Sequence, residues 1–478
     1  MSPYPFALTR SPMITTRQHC LRVKNLMQID QKQRSIIYHR GQVGAVRNDT
    51  DIELDFRQES HFYYLTGVDE PGFHVVVDLE TNKVYLVPPT IPENDIVWNG
   101  SPDSPDELLQ KYDADEIVSE SDLPGLLTDL DPVTIHVLDT TDKQVLYAAG
   151  ITDKKLSTTY LRDALNEARL KKFPWEIETI RLAVYGSSQA HKAVMQQAKP
   201  GLSESHLEGL FRWICSRNGM SRQAYIPIVA SGPRSTTLHY TRNNQIIPAG
   251  PHTLVLVDAG GERGCYGSDV TRTFPATGVF SAEAKTIYNI VLKMQESVLS
   301  RLRPGAMWSE LERHVIHVLC SELIRIGVLV GEIDQLVDMG IPHAFFIHGL
   351  GHSVGLDVHD VEGQLPELHL KRVDSAGYLT NFLQGRPLEA NMIVTVEPGL
   401  YFNDSMLDIW TQYPGYKSFF DLDVIRRYRV VGGVRIEDTV LITKDGHENL
   451  TLAPKTVKEI EDIMAGQQLS NSNLSNIL

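Results

Sequence analysis

Residues 348–360 read HGLGHSVGLDVHD and hold three histidines within a short, glycine-rich stretch. A core segment would separate such residues with apolar side chains, whereas glycine lets the backbone approach another group closely because it has no Cβ. Gly349 and Gly351 also break the helix that an HExxH zinc site requires, so we do not interpret His348 and His352 as that motif. The stretch predicts an irregular loop that brings imidazole groups to a functional site.

Four acidic residues lie on strand-like segments in the same half of the chain. The run TLVLVDAGG carries Asp258, and after a turn CYGSDVTRTFP carries Asp269, so a hairpin would bring both carboxylates to one place. Glu397 ends the strand of NMIVTVEPGLYF, and Glu437 lies within the strand of VGGVRIEDTVLIT. One such acid alone is more often exposed or salt-bridged, but a buried acid is costly unless it is paired or binds a metal. Four of them beside a histidine-rich loop indicate a shared metal site.

The composition of this site favours particular metals. Four carboxylates and one imidazole are too rich in oxygen for a structural zinc site, which prefers thiolates and imidazoles. They suit two divalent cations that share bridging carboxylates, and the mix of hard oxygen with one nitrogen favours manganese or cobalt. Two metals about 3.5 to 4 Å apart can hold a bridging hydroxide and stabilise a developing oxyanion. The residues therefore predict a hydrolase.

The overall charge argues against several classes of partner. The chain has 60 acidic and 45 basic residues and a net charge of −15, so no general field attracts nucleic acid or an anionic membrane. No segment approaches the roughly 18 to 20 apolar residues of a membrane span. The four cysteines form neither a CxxC pair nor a disulfide framework, which indicates reduced thiols. We therefore expect a cytoplasmic enzyme without nucleic-acid or membrane partners.

The length of the chain, 478 residues, predicts at least two domains. Residues 51–88 alternate strand-like runs with turns (FRQESHFYYLTGV, FHVVVDL and KVYLVPP), which indicates hairpins within an α/β domain. A helical period begins at Tyr160, and a second helix is expected from Pro174 toward Ala198. We place the domain boundary near residue 170.

The second domain should combine helices with hairpins. Ser203 is expected to open a helix that ends at Asn218 and Gly219. Ser309 and Glu312 form the pattern of a capping box and are expected to open another helix, which Gly327 closes. The polar tail at 466–478 has no periodicity and is expected to be disordered. The predicted fold class is α+β.

At this point the sequence resembles a known family. The segments DAGG…SDVTRTFP, HGLGHSVGLDVHD, VEPGLYF and GGVRIED are similar to those of the proline-specific "pita-bread" metallopeptidases of the creatinase/aminopeptidase family, which include Xaa-Pro dipeptidase (prolidase) and aminopeptidase P. FRQESHFYYLTGV is similar to their N-terminal domain, so the resemblance spans nearly the whole chain. It implies a small α/β N-terminal domain over 1–170, a pita-bread catalytic domain over 171–465 and a homodimer.

The resemblance also implies a role for each site residue. It implies two divalent cations per subunit, with Mn²⁺ foremost, and the matching ligand positions are Asp258, Asp269, His352, Glu397 and Glu437. Among these, Asp269 and Glu437 would bridge the two ions. Further matches lie at catalytic positions beside the substrate carbonyls (His348 and His359), in the proline pocket (His239) and at other substrate-binding positions (Tyr225, Tyr401 and Arg435). For His239 alone, a buried core histidine is the competing interpretation.

The implied reaction is hydrolysis of the bond before proline in proline-containing peptides. A bridging hydroxide would attack the carbonyl group, Glu397 would handle the proton, and His359 would join the metals in stabilising the oxyanion. A binding protein that has lost catalysis is a competing hypothesis, but such relatives drop metal ligands and none is missing here. Methionine aminopeptidases lack the N-terminal domain. Phosphotriester hydrolysis stays open as a side activity.

The length of the substrate divides the family. The insertion NDSMLDIWTQYPGYKSFFDLDVIRRYRVVGG is similar to the eukaryotic prolidases. Those enzymes carry two arginines ahead of the Glu397 strand, and the first meets the carboxylate of a dipeptide; here Leu383 takes its place and only Arg386 is retained. A free carboxylate needs a charge-assisted partner. We therefore predict an Xaa-Pro aminopeptidase, with prolidase as the alternative.

Overall fold

A computed structural model describes residues 14–30, 33–361 and 386–466. Leu383 and most of the predicted disordered tail, residues 467–478, lie outside these ranges. The chain divides into two compact units between Leu170 and Lys171. Among the residues described, no helix has the length and apolar character needed to span a membrane.

The amino-terminal unit is built on a six-stranded mixed sheet with the order β4-β3-β2-β1-β5-β6. In chain order its elements are α1 (Thr16–Leu26), β1 (Ser35–Arg40), α2 (Ser60–Thr66), β2 (His74–Asp78), β3 (Val84–Val87), α3 (Ile96–Asn99), α4 (Pro105–Lys111), β4 (Glu116–Ile117), α5 (Leu123–Leu130), β5 (Thr134–His136), α6 (Gln144–Ala148), β6 (Leu156–Ser157) and α7 (Leu161–Leu170). Strands β1 to β3 pair antiparallel, and the outer strands join in parallel. Apolar side chains such as Ile36, Val76 and Ile135 form the core with α5.

The prediction of one strand in this unit is wrong. FHVVVDL and KVYLVPP form the expected β2–β3 hairpin, but the centre of FRQESHFYYLTGV is the helix α2. The Glu59 side chain caps the helix by accepting from the Phe62 N–H, and Gly67 ends it in the left-handed conformation. Every residue of α2 is buried. The amphipathic period that would have identified a helix is therefore absent, and the aromatic residues imitate a strand.

The second unit holds the predicted site and mixes helices with antiparallel strands, as expected for an α+β fold. In chain order its elements are α8 (Pro174–Gln197), α9 (Glu204–Arg217), β7 (Arg222–Gln223), β8 (Ile228–Ser231), β9 (Leu254–Asp258), β10 (Gly261–Glu262), β11 (Thr271–Pro275), α10 (Ala282–Leu299), α11 (Trp308–Arg325), α12 (Ile333–Asp338), β12 (Ile393–Val396), β13 (Gly399–Tyr401), α13 (Asp404–Gln412), α14 (Leu422–Tyr428), β14 (Gly433–Arg435), β15 (Asp438–Ile442), β16 (His447–Asn449) and α15 (Val457–Ala465). The sheets have the orders β11-β9-β8, β12-β15-β16, β10-β7 and β13-β14.

Two of the three predicted helix starts in this region are confirmed. Pro174 begins α8, and the Ser203 side chain accepts from the His206 N–H at 3.2 Å at the start of α9. The capping box at Ser309 is wrong, because α11 begins earlier, at Trp308. Trp308 is fully buried, so packing decides where this helix starts, and its N-cap residue contributes no side-chain hydrogen bond. Gly327, with φ of 77°, follows the end of α11 as expected.

The strands that carry the last two acids share one register. The β12–β15 ladder ends with Val396 opposite Asp438, and the β13–β14 ladder begins with Gly399 opposite Arg435. Continuing either ladder across the gap sets Glu397 opposite Glu437. The prediction of Glu437 within a continuous strand is therefore wrong in detail, since it lies between β14 and β15 in an isolated bridge with Thr271.

Candidate metal centre

The β9–β11 hairpin brings Asp258 and Asp269 together, as predicted. Asp258 is the last residue of β9, and its backbone pairs with Thr271 at the start of β11. The Tyr225 hydroxyl lies 2.6 Å from Asp258 Oδ1 and 2.5 Å from Asp269 Oδ1. A hydroxyl group has one hydrogen and can donate to only one of these oxygens. The second short contact therefore has no hydrogen from the hydroxyl group, and a proton on a carboxyl group or a nearby cation is needed to balance the charge of the pair.

His352 faces the carboxylates with one nitrogen and the backbone with the other. Its Nδ1 lies 3.0 Å from the Ser353 carbonyl oxygen, to which it donates. Its Nε2 lies 3.3 Å from Asp269 Oδ2, 3.5 Å from Glu397 Oε1 and 4.0 Å from Glu437 Oε1. A backbone acceptor at one nitrogen fixes the tautomer that leaves the other nitrogen free to bind a metal. This geometry leaves Nε2 of His352 available to a metal ion beside the three carboxylates.

Glu437 carries the clearest sign of a missing partner. Its side chain is buried with 1% exposure, and its Oε2 accepts from the Thr271 hydroxyl at 2.7 Å. Its Oε1 is buried, and no hydrogen bond reaches it from the residues that the structure describes. Ligand atoms of Asp269, His352 and Glu437 all lie within 4.8 Å of one another. A buried carboxylate oxygen is stable only when it is paired, and these residues fit a divalent cation.

The pKa values of the acids respond to this crowding. Burial and then the charges of Asp258 and Glu397 raise the pKa of Asp269 well above its usual range. Burial and then the charge of Asp269 do the same to the pKa of Glu437. Burial, followed by the Glu437 charge, raises the pKa of Glu397 to about 8. Without a cation, the cluster would retain protons at neutral pH, so a bound metal would displace them.

Arg435 neutralises one edge of the cluster. Its guanidinium donates to Asp258 Oδ2 at 2.5 Å, to the Tyr401 hydroxyl at 2.8 Å and to Thr271 Oγ1 at 3.2 Å. The residue is buried, with 4% exposure. Because Arg435 lies two residues from Glu437, the sequence allows it either to support a ligand or to bind substrate, and this geometry favours support of the proposed ligand Asp258.

His348 is joined to Arg435 through a tyrosine. Its Nδ1 donates to the Gly349 carbonyl oxygen at 2.8 Å, and its Nε2 lies 2.8 Å from the Tyr401 hydroxyl. Because Arg435 donates to that hydroxyl, the Tyr401 hydrogen points to His348. Burial, followed by the charge of Arg435, lowers the pKa of His348 to about 3. His348 is therefore a neutral imidazole with both nitrogens engaged.

The other two predicted histidines lie at the exposed side of the site. The His359 ring is exposed and stands 4.2 Å from the His352 ring, centroid to centroid. Asp360, the next residue, pairs with Lys172 at 3.0 Å, and both side chains are 1% exposed. His239 is exposed in the loop after β8, so the interpretation of His239 as a core residue is wrong.

Gly351, but not Gly349, is needed for a close approach between the backbones of the histidine loop and β12. A Cβ on Gly351 would lie 2.2 Å from the Thr395 carbonyl oxygen. A Cβ on Gly349 would have its nearest neighbour, Glu312 Oε1, at 3.9 Å, so that glycine is not needed for space. The loop contains no helix from 348 to 360, as expected. Gly351 therefore lets the loop lie directly on β12.

Two threonines of the site were not identified from the sequence. Thr271 donates to Glu437, and Thr395 exchanges hydrogen bonds with the backbone of His352 at 3.0 Å and 2.8 Å. Thr271 lies two residues after Asp269, and Thr395 lies two residues before Glu397. Residues two apart on a strand share a face, so this spacing was the available signal.

Acids from neighbouring hairpins converging on one imidazole define a metal-dependent hydrolase site. Residues 178–444 match the model of metallopeptidase family M24, and residues 19–134 match that of the aminopeptidase P N-terminal domain. The chain belongs to metallopeptidase family M24. The family resemblance recognised in the sequence is thereby confirmed.

Relatives of this chain include two kinds of proline-directed enzyme. The human Xaa-Pro dipeptidase is 38% identical over 443 residues, covering 90% of this chain and 89% of that protein. The "Probable Xaa-Pro aminopeptidase pepP" of Aspergillus clavatus is 37% identical over 461 residues, covering 94% and 97%.

Solved structures show the same fold. Pseudomonas aeruginosa aminopeptidase PepP superposes with a TM-score of 0.79 at 32% identity, over 95% of this chain and 99% of that chain. Zinc-substituted Escherichia coli aminopeptidase P in complex with product has a TM-score of 0.79 at 30% identity, with the same coverage. The predicted α+β architecture, with its N-terminal domain and catalytic domain, is confirmed.

Proposed function

We propose that this protein is an Xaa-Pro aminopeptidase, which hydrolyses the bond between an N-terminal residue and a penultimate proline. The proposed ligands of two divalent cations, Mn²⁺ foremost, are Asp258, Asp269, His352, Glu397 and Glu437. The observation that carries the proposal is the unpartnered Oε1 of Glu437, buried beside Asp269 and His352 in a chain of the M24 family. Divalent cations at such a site supply Lewis acidity toward a carbonyl oxygen and toward water.

Glu397 is suited to move the proton in this reaction. Its side chain is 17% exposed, compared with 1% for Glu437, so it can reach substrate and water. A carboxylate placed in this way can accept a proton from water and pass it to the substrate. We assign it the transfer of a proton from the attacking water to the leaving proline nitrogen.

His359 and His348 would serve the substrate in different ways. His359 is exposed, and its ring packs on the His352 ring, so an N–H of His359 can donate to the oxyanion. His348 already accepts from Tyr401, and it would meet substrate only by exchanging that partner. His239 and Tyr225 would line the substrate side, although the contacts of Tyr225 with Asp258 and Asp269 also favour a role in holding those ligands.

The arginines of the site support a substrate longer than a dipeptide. Arg435 is bonded to Asp258, Tyr401 and Thr271, and Arg386 donates to Glu389 Oε1 at 2.7 Å. Each of these two arginines thus already has an acidic partner in the protein, Asp258 or Glu389, which compensates its charge. Xaa-Pro dipeptidase activity is the second candidate, because the human enzyme of that name is 38% identical.

Three further properties are proposed from the family resemblance and from the chemistry of the chain. The homodimer follows from the family resemblance. The described cysteines, Cys20, Cys215, Cys265 and Cys320, are buried and free, which suits a reducing compartment such as the cytoplasm. A phosphotriester side activity would use the same cations.

The test is hydrolysis of defined peptides by metal-stripped protein and by the same protein reloaded with Mn²⁺. We expect the reloaded protein to release alanine from Ala-Pro-Ala and the stripped protein to be inactive. Full activity after thorough chelation would overturn the proposal.

A further inference from the structure

The strands that carry Glu397 and Glu437 are not bonded to each other at those residues. The Glu397 N–H donates to the Leu350 carbonyl oxygen at 2.9 Å, and the Glu437 N–H donates to the Thr271 carbonyl oxygen at 3.0 Å. Pro398 has no N–H to donate. On one side the acids adjoin the Val396–Asp438 pair of the β12–β15 ladder. On the other side the two strands share a long bond, from the Ile436 N–H to the Pro398 carbonyl oxygen at 3.4 Å, and the Ile436 carbonyl oxygen faces a proline that cannot donate to it.

The side chain of Gln295, on α10, bridges the two strands at this point. Gln295 is fully buried, with 0% exposure. Its Nε2 donates to the Val396 carbonyl oxygen and to the Ile436 carbonyl oxygen, each at 3.2 Å. Val396 and Ile436 immediately precede Glu397 and Glu437. One amide group, with its two hydrogens, thus holds both ligand-bearing strands.

The orientation of this amide is fixed by a buried charge network. Gln295 Oε1 accepts from Lys455 Nζ at 2.9 Å, and the same ammonium group lies 2.6 Å from Asp438 Oδ2. Asp438 also pairs with Arg272, at 2.7 Å, and neither of those side chains is exposed. An ammonium group has only donors, so the oxygen of the amide must face Lys455 and the nitrogen must face the two carbonyl groups.

We infer that Gln295 is a positioning residue that sets the separation of Glu397 and Glu437 and thereby the affinity of the site for divalent cations. The inference rests on the proposed metal-dependent function. A side chain that only filled the core could be replaced by an apolar one of equal length. Gln295→Met keeps the length but removes the bridge between the two strands and leaves the Ile436 carbonyl oxygen without the donor that Pro398 cannot supply, so the strands would move relative to each other.

The experiment is calorimetric titration of metal-stripped protein with Mn²⁺. Loss of groups that orient metal ligands commonly weakens metal binding by about 10- to 100-fold. We expect Gln295→Met to bind Mn²⁺ at least about tenfold more weakly and to alter the visible absorption bands of the Co²⁺-loaded protein. A variant with wild-type affinity and spectrum would overturn the inference.

A second variant answers the possibility that Gln295→Met does not fold. Gln295→Glu has the same size and keeps an acceptor for Lys455. The oxygen that replaces Nε2 would repel the two carbonyl oxygens instead of donating to them. An added negative charge should strengthen cation binding by attraction alone. A fall of about tenfold or more in Gln295→Glu would therefore report displaced ligands, and unchanged or tighter binding would contradict the inference.

The matched control is a buried glutamine of the amino-terminal unit. Gln58 is 0% exposed, and its Nε2 donates to the Glu70 carbonyl oxygen at 2.8 Å. That unit contains none of the five proposed ligands. Gln58→Met should lower the melting temperature without changing Mn²⁺ affinity; equal weakening in both variants would attribute the effect to general destabilisation and reject the inference. If wild-type protein binds no Mn²⁺, the proposed function itself fails.

Discussion

Glu397 and Glu437 stand opposite each other in the register of two antiparallel strands, and one imidazole nitrogen of His352 lies 3.5 Å and 4.0 Å from their nearest oxygens. Two carboxylates with so little solvent repel each other unless a cation or a proton lies between them. Together with burial, which is the larger cause, the Glu437 charge raises the pKa of Glu397 to about 8.

The metal-stripped protein should lose stability as pH rises. The pKa values of Asp269, Glu437 and Glu397 are raised in the folded protein, that of Glu397 to about 8, so the folded state holds more protons than the unfolded state. Stability then falls as pH rises toward 8, by about 1.4 kcal/mol per pH unit for each extra proton held. Thermal unfolding from pH 6 to pH 8 should show this slope in stripped protein and a smaller one with Mn²⁺. Equal slopes would contradict it.

Asp269→Asn should remove metal binding while leaving the fold intact. The substitution deletes a charge that we propose both cations share, and it relieves repulsion among buried acids when no metal is bound. We expect a lower metal content by mass spectrometry, no turnover, and a melting temperature of stripped protein equal to or above that of wild type.

The control for this variant is Glu262→Gln. Glu262 is also a buried acid, but Arg222 pairs with it at 2.7 Å, so it needs no cation. The Glu262→Gln variant should therefore retain its bound metal. Retention of both metals by Asp269→Asn would remove Asp269 from the ligand set.

His359→Ala should slow the reaction without releasing metal. His359 packs on the ring of His352, and loss of one donor to an oxyanion commonly lowers the rate by about 10²-fold or more. His317 on α11, to which we assign no role, provides the control variant His317→Ala. Loss of a metal equivalent in His359→Ala would mean that His359 is a ligand.

Much of this site was predictable because its determinants are local. Apolar runs on either side of a turn predict the hairpin that brings Asp258 and Asp269 together, because this hairpin forms without distant contacts. The helix α2 was missed because burial on every side removes the periodicity. Ser309 imitates a capping box, although the buried Trp308 already begins the helix.

The groups that orient the ligands could not be predicted in the same way. Gln295 reaches carbonyl groups 101 and 141 residues further along the chain, and His348 meets Tyr401 across 53 residues. Nothing in the local sequence marks a glutamine or a tyrosine as a partner at such distances. Thr271 and Thr395, by contrast, lie two residues from acids on the same strand face and were within reach of sequence analysis.

Substrate length provides a test that depends on Leu383, which lies outside the described residues. The family resemblance implies that this position meets the carboxylate of a dipeptide, and an apolar residue there would give that carboxylate no fixed partner, so Ala-Pro-Ala should be cleaved at least as well as Ala-Pro. Leu383→Arg should shift kcat/KM toward the dipeptide by up to about tenfold, equivalent to about 1.4 kcal/mol. Leu383→Gln, polar but uncharged, is the matched control. A tenfold or greater preference of wild type for Ala-Pro would favour prolidase.

The central claim is that Glu437 and its neighbours bind the cations that hydrolysis requires. The most direct measurement is the rate of alanine release from Ala-Pro-Ala by stripped protein titrated with Mn²⁺, for wild type and for Glu437→Gln. We predict that wild-type activity rises from none to a plateau as Mn²⁺ binds, whereas Glu437→Gln stays inactive at every concentration. Activity in stripped wild type, or a wild-type titration curve for Glu437→Gln, would contradict the claim.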